Sequence, residues 1–312
     1  MVGAAMAISP PYSLSTSWNF PRHESTAAAV AEIAAMGFTH VELGSSLSPS
    51  RVEELARLVE AGQIAVSSLH CPVPRPEEIL RGEVREPWLS AMDPAEREFA
   101  VRLMCDTLDQ AERFGAGAVV LHVGRLQSPA WEESVKRLLQ VQGSLRDGLK
   151  TTDPPVAETI SEMRWLREDN VPDQYPGLLV AMEQVAEHAV RRGIRVGVET
   201  RLHYMELPFE DEYEMLFERF GEAGIGYWHD SGHAQELEIE GFSNHQRLLE
   251  RFGAEAIGAH LHDVIYPWPD HQPPGCGVVD WEMVARLLNP DCWRVLELVT
   301  IPDINQPITP ER

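Results

Sequence analysis

The clearest pattern in the chain is a regular alternation of short apolar runs with longer amphipathic stretches. The short runs are rich in valine, isoleucine and aromatic residues, as is typical of strands. The stretches between them are rich in alanine, leucine, glutamate and arginine, as is typical of helices. This order predicts repeated β–α units and a parallel sheet. Eight runs are predicted as strands: residues 12–18, 38–44, 63–70, 117–124, 194–200, 225–230, 256–263 and 293–299.

Residues at the ends of the amphipathic stretches support their assignment as helices. Ser25 precedes one stretch as a candidate N-cap, and Gly193 ends another. Eight strands with intervening helices are the number of a (β/α)8 TIM barrel, which we predict as a single domain over residues 1–312. A doubly wound sheet is the alternative, but the G-x-G-x-x-G fingerprint usual after its first strand is absent.

Two connections are longer than the rest. One is the proline-rich segment 71–94 after the third strand, and the other is 125–177 after the fourth. The second contains a helical pattern around residues 131–142 and a polar remainder with prolines. Insertions after these strands would lie at the catalytic face of a barrel. There they could form a lid over the site; the alternative is a subunit contact or a mobile loop.

Composition and charge narrow the class of protein. Hydrophobic residues make up 44% of the 312 and charged residues 24%, as in a globular protein. Lysine and arginine number 26 against 49 aspartates and glutamates, and the net charge of −23 argues against a nucleic-acid partner.

The apolar N-terminal stretch has no basic segment and breaks at Pro10 and Pro11, so we expect no signal peptide, no membrane span and a cytoplasmic location. The cysteines form no C-x-x-C pair, which fits reduced thiols: Cys71, Cys105, Cys276 and Cys292.

Candidate chemistry is concentrated at the strand ends. The carboxyl ends of all barrel strands meet at one mouth, and burying several carboxylates there without a cation costs several kcal/mol each. A divalent metal is therefore the simplest explanation. Seven of the eight predicted strands end with an ionisable or metal-binding side chain: Glu42, His70, His122, Glu199, Asp230, the pair His260 and His262, and Glu297.

The alternation of side chains along a strand limits which of these share a face. His229 and Asp230 cannot both point into the barrel, whereas His260 and His262 lie on the same side. The Asp230-x-x-His233 spacing places His233 in the turn beyond the strand, near the metal without requiring it to be a ligand.

Five segments resemble the xylose-isomerase-like sugar phosphate isomerase/epimerase superfamily of metal-dependent TIM barrels. The resemblance extends from about residue 12 to 300 and fails over 125–177. The order of the segments and their placement on strands carry it, since each motif alone is weak. They are VGVET at 196–200, HDSGHA at 229–234, AHLHDV at 259–264, PPGCGVVDW at 273–281 and LEL at 296–298.

The resemblance implies one divalent ion bound by four side chains: Glu199, Asp230, His260 and Glu297. His260 is preferred over His262 because the family's H-x-x-D segment places the ligand three residues before the aspartate, here Asp263. Three carboxylates and one imidazole suit Mn²⁺, our first choice, with Mg²⁺, Co²⁺ and Zn²⁺ as alternatives.

The resemblance also implies substrate contacts. His233 corresponds to the family's substrate-binding histidine, and His70 and His122 occur in sugar-acting relatives as pocket residues. His262 occupies a position where many members have lysine. Arg201 follows a strand end and is either a clamp for a phosphate or carboxylate or part of a salt bridge.

The activity implied is isomerisation or epimerisation of a sugar or sugar-like polyol through an enediolate, with Glu199 and Glu297 exchanging the proton as base and acid. Ketose 3-epimerases have a substrate-contacting glutamate six residues after the first metal glutamate and an arginine six after the metal histidine. Met205 and Tyr266 stand there instead, although Glu206 is one position away. These departures argue against ketohexose 3-epimerisation.

Three other functions remain in view. A lyase or dehydratase, acting on an inosose or a keto-glycoside, would use the same chemistry with a departing group. An endonuclease IV-like enzyme would bind three zinc ions, and a non-catalytic sugar-binding subunit would keep the pocket alone. One position of the nuclease pattern is missing, because Pro269 stands where its last aspartate belongs. The residues that match the pattern are His70, His122, Glu199, Asp230, His233, His260, His271 and Glu297.

The remaining aromatic and histidine residues are weaker candidates. We interpret Trp18, Trp268 and Trp281 as candidates for stacking on a sugar ring. We expect three other histidines to face solvent: His23, His203 and His245. Family members often form dimers or tetramers, so a homo-oligomer is expected by analogy.

Overall fold

Eight parallel strands close into a barrel in the computed structural model, which describes residues 10–266 and 269–299. All eight predicted strands are confirmed; the sixth, residues 225–230, has the predicted limits, and the other seven are shorter. Going around the barrel, the order is β1, β2, β3, β4, β6, β8, β9 and β10. The strands are β1 Tyr12–Ser15, β2 His40–Leu43, β3 Ala65–His70, β4 Ala118–Leu121, β6 Arg195–Glu199, β8 Ile225–Asp230, β9 Gly258–Leu261 and β10 Trp293–Leu296, and a small separate ribbon contains β5 Gly124–Arg125 and β7 Glu206–Leu207.

Helices connect consecutive barrel strands and cover the outside of the barrel. They are α1 Thr26–Ala35, α2 Pro49–Glu60, α3 Glu77–Leu80, α4 Pro94–Phe114, α5 Ala130–Arg146, α6 Pro154–Arg192, α7 Asp211–Phe220, α8 Ser231–Ile239, α9 His245–Phe252 and α10 Trp281–Leu287. The predicted cap at Ser25 is confirmed, because its side chain accepts a hydrogen bond from the Ala28 amide at 3.3 Å. Gly193 ends α6 with φ of 64°, a left-handed conformation that favours glycine. Among the described helices, none has the length and apolarity needed to cross a bilayer.

The interior of the barrel explains why the site lies at one end. Trp228 is fully buried and packs in a cluster of small and branched residues from other strands of the barrel, including Val120 and Val295. A Cβ on Gly258 would come within 2.2 Å of the Trp228 ring, so β9 requires a glycine at this position beside the indole. The indole lies edge-on to His260, with ring centroids 5.3 Å apart. Trp228 therefore forms the floor beneath the polar residues of the mouth.

The long connection after β4 differs from its sequence pattern. The predicted helix around 131–142 is confirmed as α5, but the polar remainder is also helical and continues through Pro172 and Pro176 into α6. Proline removes a backbone donor and normally interrupts a helix. Here an apolar face that includes Ile160, Met163 and Leu178 is buried, and α6 packs against α4 and α5. Tertiary packing therefore outweighs the local cost of the two prolines.

A two-stranded antiparallel ribbon, absent from the predicted elements, follows strands β4 and β6. In it β5 pairs with β7, and Arg125 lies opposite Glu206. Ser90 of the other long connection accepts a hydrogen bond from the Arg125 amide at 3.1 Å and donates to the Arg125 carbonyl at 3.2 Å. A Cβ on Gly124 would lie 2.0 Å from the Ser90 hydroxyl oxygen, so the close contact requires glycine. Both long connections thus meet at this ribbon.

Candidate metal centre and active site

Four side chains from four strands converge at the carboxyl end of the barrel. Glu199 ends β6, Asp230 ends β8, His260 lies in β9 and Glu297 follows β10. His260 Nδ1 lies 2.8 Å from Glu199 Oε1, 3.0 Å from Glu297 Oε2 and 3.7 Å from Asp230 Oδ2. One potential ligand atom from each residue falls within 4.8 Å of all the others. The predicted metal quartet is therefore spatially compact.

The quartet is buried and strongly charged. The exposed fraction is 0% for Glu199, Asp230 and His260 and 6% for Glu297. Burial disfavours the ionised carboxylates, yet neighbouring histidines outweigh it and hold the pKa of each acid below its ordinary value. Burial also opposes the charged imidazole, but Glu297 and the other carboxylates raise the pKa of His260 well above its usual range. These directions favour three ionised carboxylates and a positive charge between them.

A divalent ion fits this donor set. Asp230 Oδ2 is buried without a hydrogen-bond partner among the described residues, so one oxygen of the quartet has unused capacity. Three carboxylates and one imidazole nitrogen are mainly hard ligands, as Mn²⁺, Mg²⁺ and Co²⁺ prefer. A bound ion would supply the positive charge that buried carboxylates require.

Two histidines extend the site on one side of Glu199. His70 Nε2 lies 2.8 Å from His122 Nε2, and His122 Nε2 contacts Glu199 Oε2. His70 Nδ1 lies 3.5 Å from Glu297 Oε1. Burial, with help from Arg201, lowers the pKa of His122 to about 4, so this imidazole is neutral near pH 7. The structure thus brings both predicted pocket histidines against the two glutamates.

Three more histidines lie on the other side of the quartet. His233 Nδ1 donates to the Thr200 carbonyl at 2.9 Å, so in the neutral ring Nε2 is the acceptor. His262 Nε2 lies 2.9 Å from Asp230 Oδ1. The His262 ring stacks on that of His271 at 4.1 Å. His271 therefore lies beside His233 and His262, the two predicted substrate-binding residues on this side. From sequence, His271 is a candidate only as a zinc ligand of the nuclease.

Arg201 binds protein carboxylates within the site. Its Nη1 lies 3.3 Å from Glu199 Oε2 and its Nη2 lies 2.7 Å from Glu206 Oε1. Burial opposes the ionisation of Glu206, but the guanidinium outweighs it and lowers the pKa of Glu206 to about 2. The arginine is 6% exposed. Of the two sequence interpretations, the salt bridge is present, and contact with substrate remains a prediction.

Glu42 is the strand-end residue to which the sequence assigned no role. Its side chain is completely buried and contacts His260 Nε2, on the side of the ring opposite the three carboxylates of the quartet. Its position near the carboxyl end of β2 matches the positions of the candidate site residues on the other strands, and this is the sequence feature that could have indicated a role.

The predicted alternation along β8 is confirmed, but two solvent assignments are wrong. His229 points away from Asp230 and packs outside the barrel, where its Nδ1 lies 3.1 Å from the Tyr227 hydroxyl. His245 is 1% exposed, and its Nε2 lies 3.1 Å from His229 Nε2. The start of α9 packs this histidine against the barrel, which the sequence pattern did not reveal. His23 is partly exposed, whereas His203 is half-buried as a residue and its Nδ1 is buried, so it does not face solvent as expected.

The tryptophans considered for sugar stacking have different environments. The Trp281 indole donates to Asp263 at 3.0 Å and anchors the start of α10. Trp18 lies beneath the Arg22 guanidinium, 4.3 Å from the ring centroid. Trp268 lies outside the described residues.

Residues 30–304 match the family described as a xylose isomerase-like TIM barrel. The chain belongs to this family. Its closed eight-stranded barrel and the strand-end cluster agree with the resemblance inferred from sequence.

Individual relatives are more distant. The chain is 25% identical over 298 residues to the uncharacterized protein y4fM of Sinorhizobium fredii, covering 88% of this chain and 81% of that protein. A D-tagatose 3-epimerase-like protein superimposes with a TM-score of 0.63 at 17% identity, over 92% of this chain and 90% of its own. The 3-keto-D-glucoside 4-epimerase YcjR of E. coli gives 0.62 at 13% identity, over 95% and 94%. At these identities the structural likeness establishes the fold.

Proposed function

We propose that the protein is a divalent-metal-dependent isomerase or epimerase of a sugar or sugar-like polyol. One observation carries the proposal: two carboxylates at the ends of different strands, Glu199 and Glu297, flank the same imidazole nitrogen of His260 at 2.8 and 3.0 Å. Two carboxylates at one small site can remove and return a proton. The similarity to a D-tagatose 3-epimerase-like protein and to a 3-keto-D-glucoside 4-epimerase supports this substrate class.

The metal would be held by Glu199, Asp230, His260 and Glu297. When bound, it would polarise the substrate carbonyl and so acidify the adjacent C–H group. Our first choice is Mn²⁺, because the donor set contains three carboxylates and one nitrogen.

The side chains around the quartet would bind the substrate and move its proton. Glu199 or Glu297 takes the proton beside the carbonyl and becomes a carboxylic acid. In an isomerisation that acid returns the proton to the neighbouring carbon of the enediolate. In an epimerisation the other glutamate, which enters the cycle protonated, supplies a proton to the opposite face, and exchange with water resets the two carboxyl groups. His233 Nδ1 donates to the Thr200 carbonyl, so in the neutral ring Nε2 can accept a hydrogen bond from a substrate hydroxyl. His122 lies against Glu199 and can orient its carboxylate.

The test is proton exchange in D₂O. The Mn²⁺-loaded protein is incubated with unphosphorylated and phosphorylated ketoses and 3-keto-glycosides, and products are followed by NMR. We expect deuterium beside the carbonyl together with an isomer of unchanged composition. Loss of water or of an aglycone would instead assign the lyase or dehydratase alternative, and the absence of exchange with every compound would contradict the proposal.

The clustering of histidines favours one second candidate, a metal-dependent phosphodiesterase of the endonuclease IV type. Besides the quartet and a set that shares His260 and Glu297 with it, two further sets have spacing suitable for an ion: His70, His122 and Glu199, and His233, His262 and His271. Incision of a duplex with an abasic site, with about three zinc ions per chain by elemental analysis, would support it. An uncut duplex under conditions that support sugar exchange would exclude it.

A further inference from the structure

Besides the three acids of the proposed metal quartet, a fourth buried acidic residue, Glu42, contacts the histidine of the quartet. Its Oε1 and Oε2 lie 3.0 and 3.1 Å from His260 Nε2. The opposite ring nitrogen, Nδ1, faces Glu199 and Glu297. The imidazole is therefore placed between Glu42 on one side and the quartet's carboxylates on the other.

The local backbone of β2 directs Glu42 to this position. Val41 pairs with Val66 in β3, but the next residue, Glu42, pairs with Ser68, so the register skips Ser67 at an irregularity. Such bulges re-aim side chains. The Ser68 hydroxyl donates to Glu42 Oε2 at 2.8 Å and fixes the orientation of the carboxylate.

These contacts have a chemical consequence for His260. A neutral imidazole carries one N–H group and one lone pair. If Nε2–H donates to Glu42, the lone pair is at Nδ1, which faces the other members of the quartet. A carboxylate behind a ligating histidine sets the tautomer, fixes the ring and raises the basicity of the ligand.

We propose that Glu42 is a positioning residue that holds His260 with its Nδ1 ready for the metal, and that Ser68 supports it. This inference rests on the divalent-metal site of the proposed function. It extends the functional centre to β2 and β3, through a relay from the Ser68 hydroxyl to the Glu42 carboxylate and the His260 imidazole.

A direct bond between Glu42 and the ion is the alternative, because Glu42, His70, His260 and Glu297 also have suitable spacing. In that arrangement His260 would bind through Nε2 and turn its protonated Nδ1 toward Glu199. Both ring nitrogens lie at hydrogen-bonding distance from carboxylates, so the distances alone do not distinguish the two arrangements. Among the described residues, three acids lie near Nδ1, whereas Glu42 alone lies near Nε2, and this favours the ion at Nδ1. The two arrangements predict opposite tautomers.

The first experiment measures Mn²⁺ affinity of the full chain by electron paramagnetic resonance of the free ion. We expect about 10-fold weaker binding for Glu42→Gln, about 100-fold for Glu42→Ala and a smaller loss for Ser68→Ala. Glu240→Gln is the matched control, since Glu240 is also buried but bonds to Gln142. Thermal unfolding of each metal-free variant checks that it is folded.

The outcomes separate this inference from the proposed function. If the wild type binds Mn²⁺ and folded Glu42 variants bind it equally well, the positioning role is refuted while the metal centre stands. If the wild type binds no Mn²⁺, both are refuted.

The second experiment reads the tautomer of His260 by NMR of the ¹⁵N-histidine-labelled protein, loaded with diamagnetic Mg²⁺. We expect a protonated Nε2 with a downfield proton resonance in the wild type, and loss of that downfield shift in Glu42→Ala. The His260→Gln spectrum assigns the signal. A wild-type spectrum with the proton on Nδ1 would overturn the positioning role in favour of direct ligation.

Discussion

Replacing Glu199 by glutamine tests the proposed chemistry most directly. The amide is nearly isosteric with the carboxylate but cannot accept a proton at neutral pH. Both oxygens of Glu199 make contacts within the site: Oε1 lies 2.8 Å from His260 Nδ1, and Oε2 contacts His122 and Arg201. The substitution therefore removes one of the two proton-transfer groups with little change in volume.

The size of the effect follows from the groups that remain. A positioned general base contributes about 10²–10⁴ in rate, or about 3–5 kcal/mol of barrier. Asp230, His260 and Glu297 still offer two carboxylates and one imidazole to the metal. We therefore expect kcat to fall by about 10²–10⁴ at saturating Mn²⁺, with metal binding weakened but not abolished.

The assay is deuterium incorporation by NMR with the substrate identified from the ketose and keto-glycoside panel, at several Mn²⁺ concentrations. Varying the metal separates slower chemistry from incomplete loading. Glu240→Gln serves as the control because Glu240 is buried and bonds to Gln142 of α5. Exchange by Glu199→Gln at the wild-type rate would refute the role of Glu199 as a proton-transfer group.

Three further predictions concern stability. Because Arg201 lowers the pKa of Glu206 from 4.5 to about 2, this carboxylate stabilises the fold above pH 4.5 by up to about 3 kcal/mol and loses that contribution between pH 4.5 and 2. Glu206→Gln should therefore flatten the acid limb of a urea-unfolding series, and an unchanged limb would contradict the ion pair. Mn²⁺ at about 100 times its dissociation constant should stabilise the protein by about 2.7 kcal/mol, reversibly with chelator, and Mn²⁺ without effect on the unfolding temperature would count against the quartet. Gly258→Ala should destabilise by about 1–3 kcal/mol in calorimetry, since its methyl group meets the Trp228 ring at 2.2 Å, whereas Gly143→Ala, with open space at its Cβ, should not.

The sequence alone determined the barrel and most of the residues at its mouth. Periodicity located all eight barrel strands, because continuous apolar segments such as β4 are buried at every position. A capping serine and a terminal glycine located helix ends, since these are local requirements of the backbone. Strand ends share one rim in this fold, so the positions of Glu199, Asp230, His260 and Glu297 were enough to predict that they converge.

Only the tertiary structure decided the contacts that depend on neighbours distant in sequence. The helix through Pro172 and Pro176 exists because its buried face packs on α4 and α5, a gain that local propensity does not contain. The β5–β7 ribbon requires two segments about 80 residues apart to meet, and its strands are too short to leave a periodic signal. Likewise, the irregular register between β2 and β3 sets Glu42 behind His260. Local sequence specifies the strands, but which buried charges become partners depends on how the closed barrel aligns them.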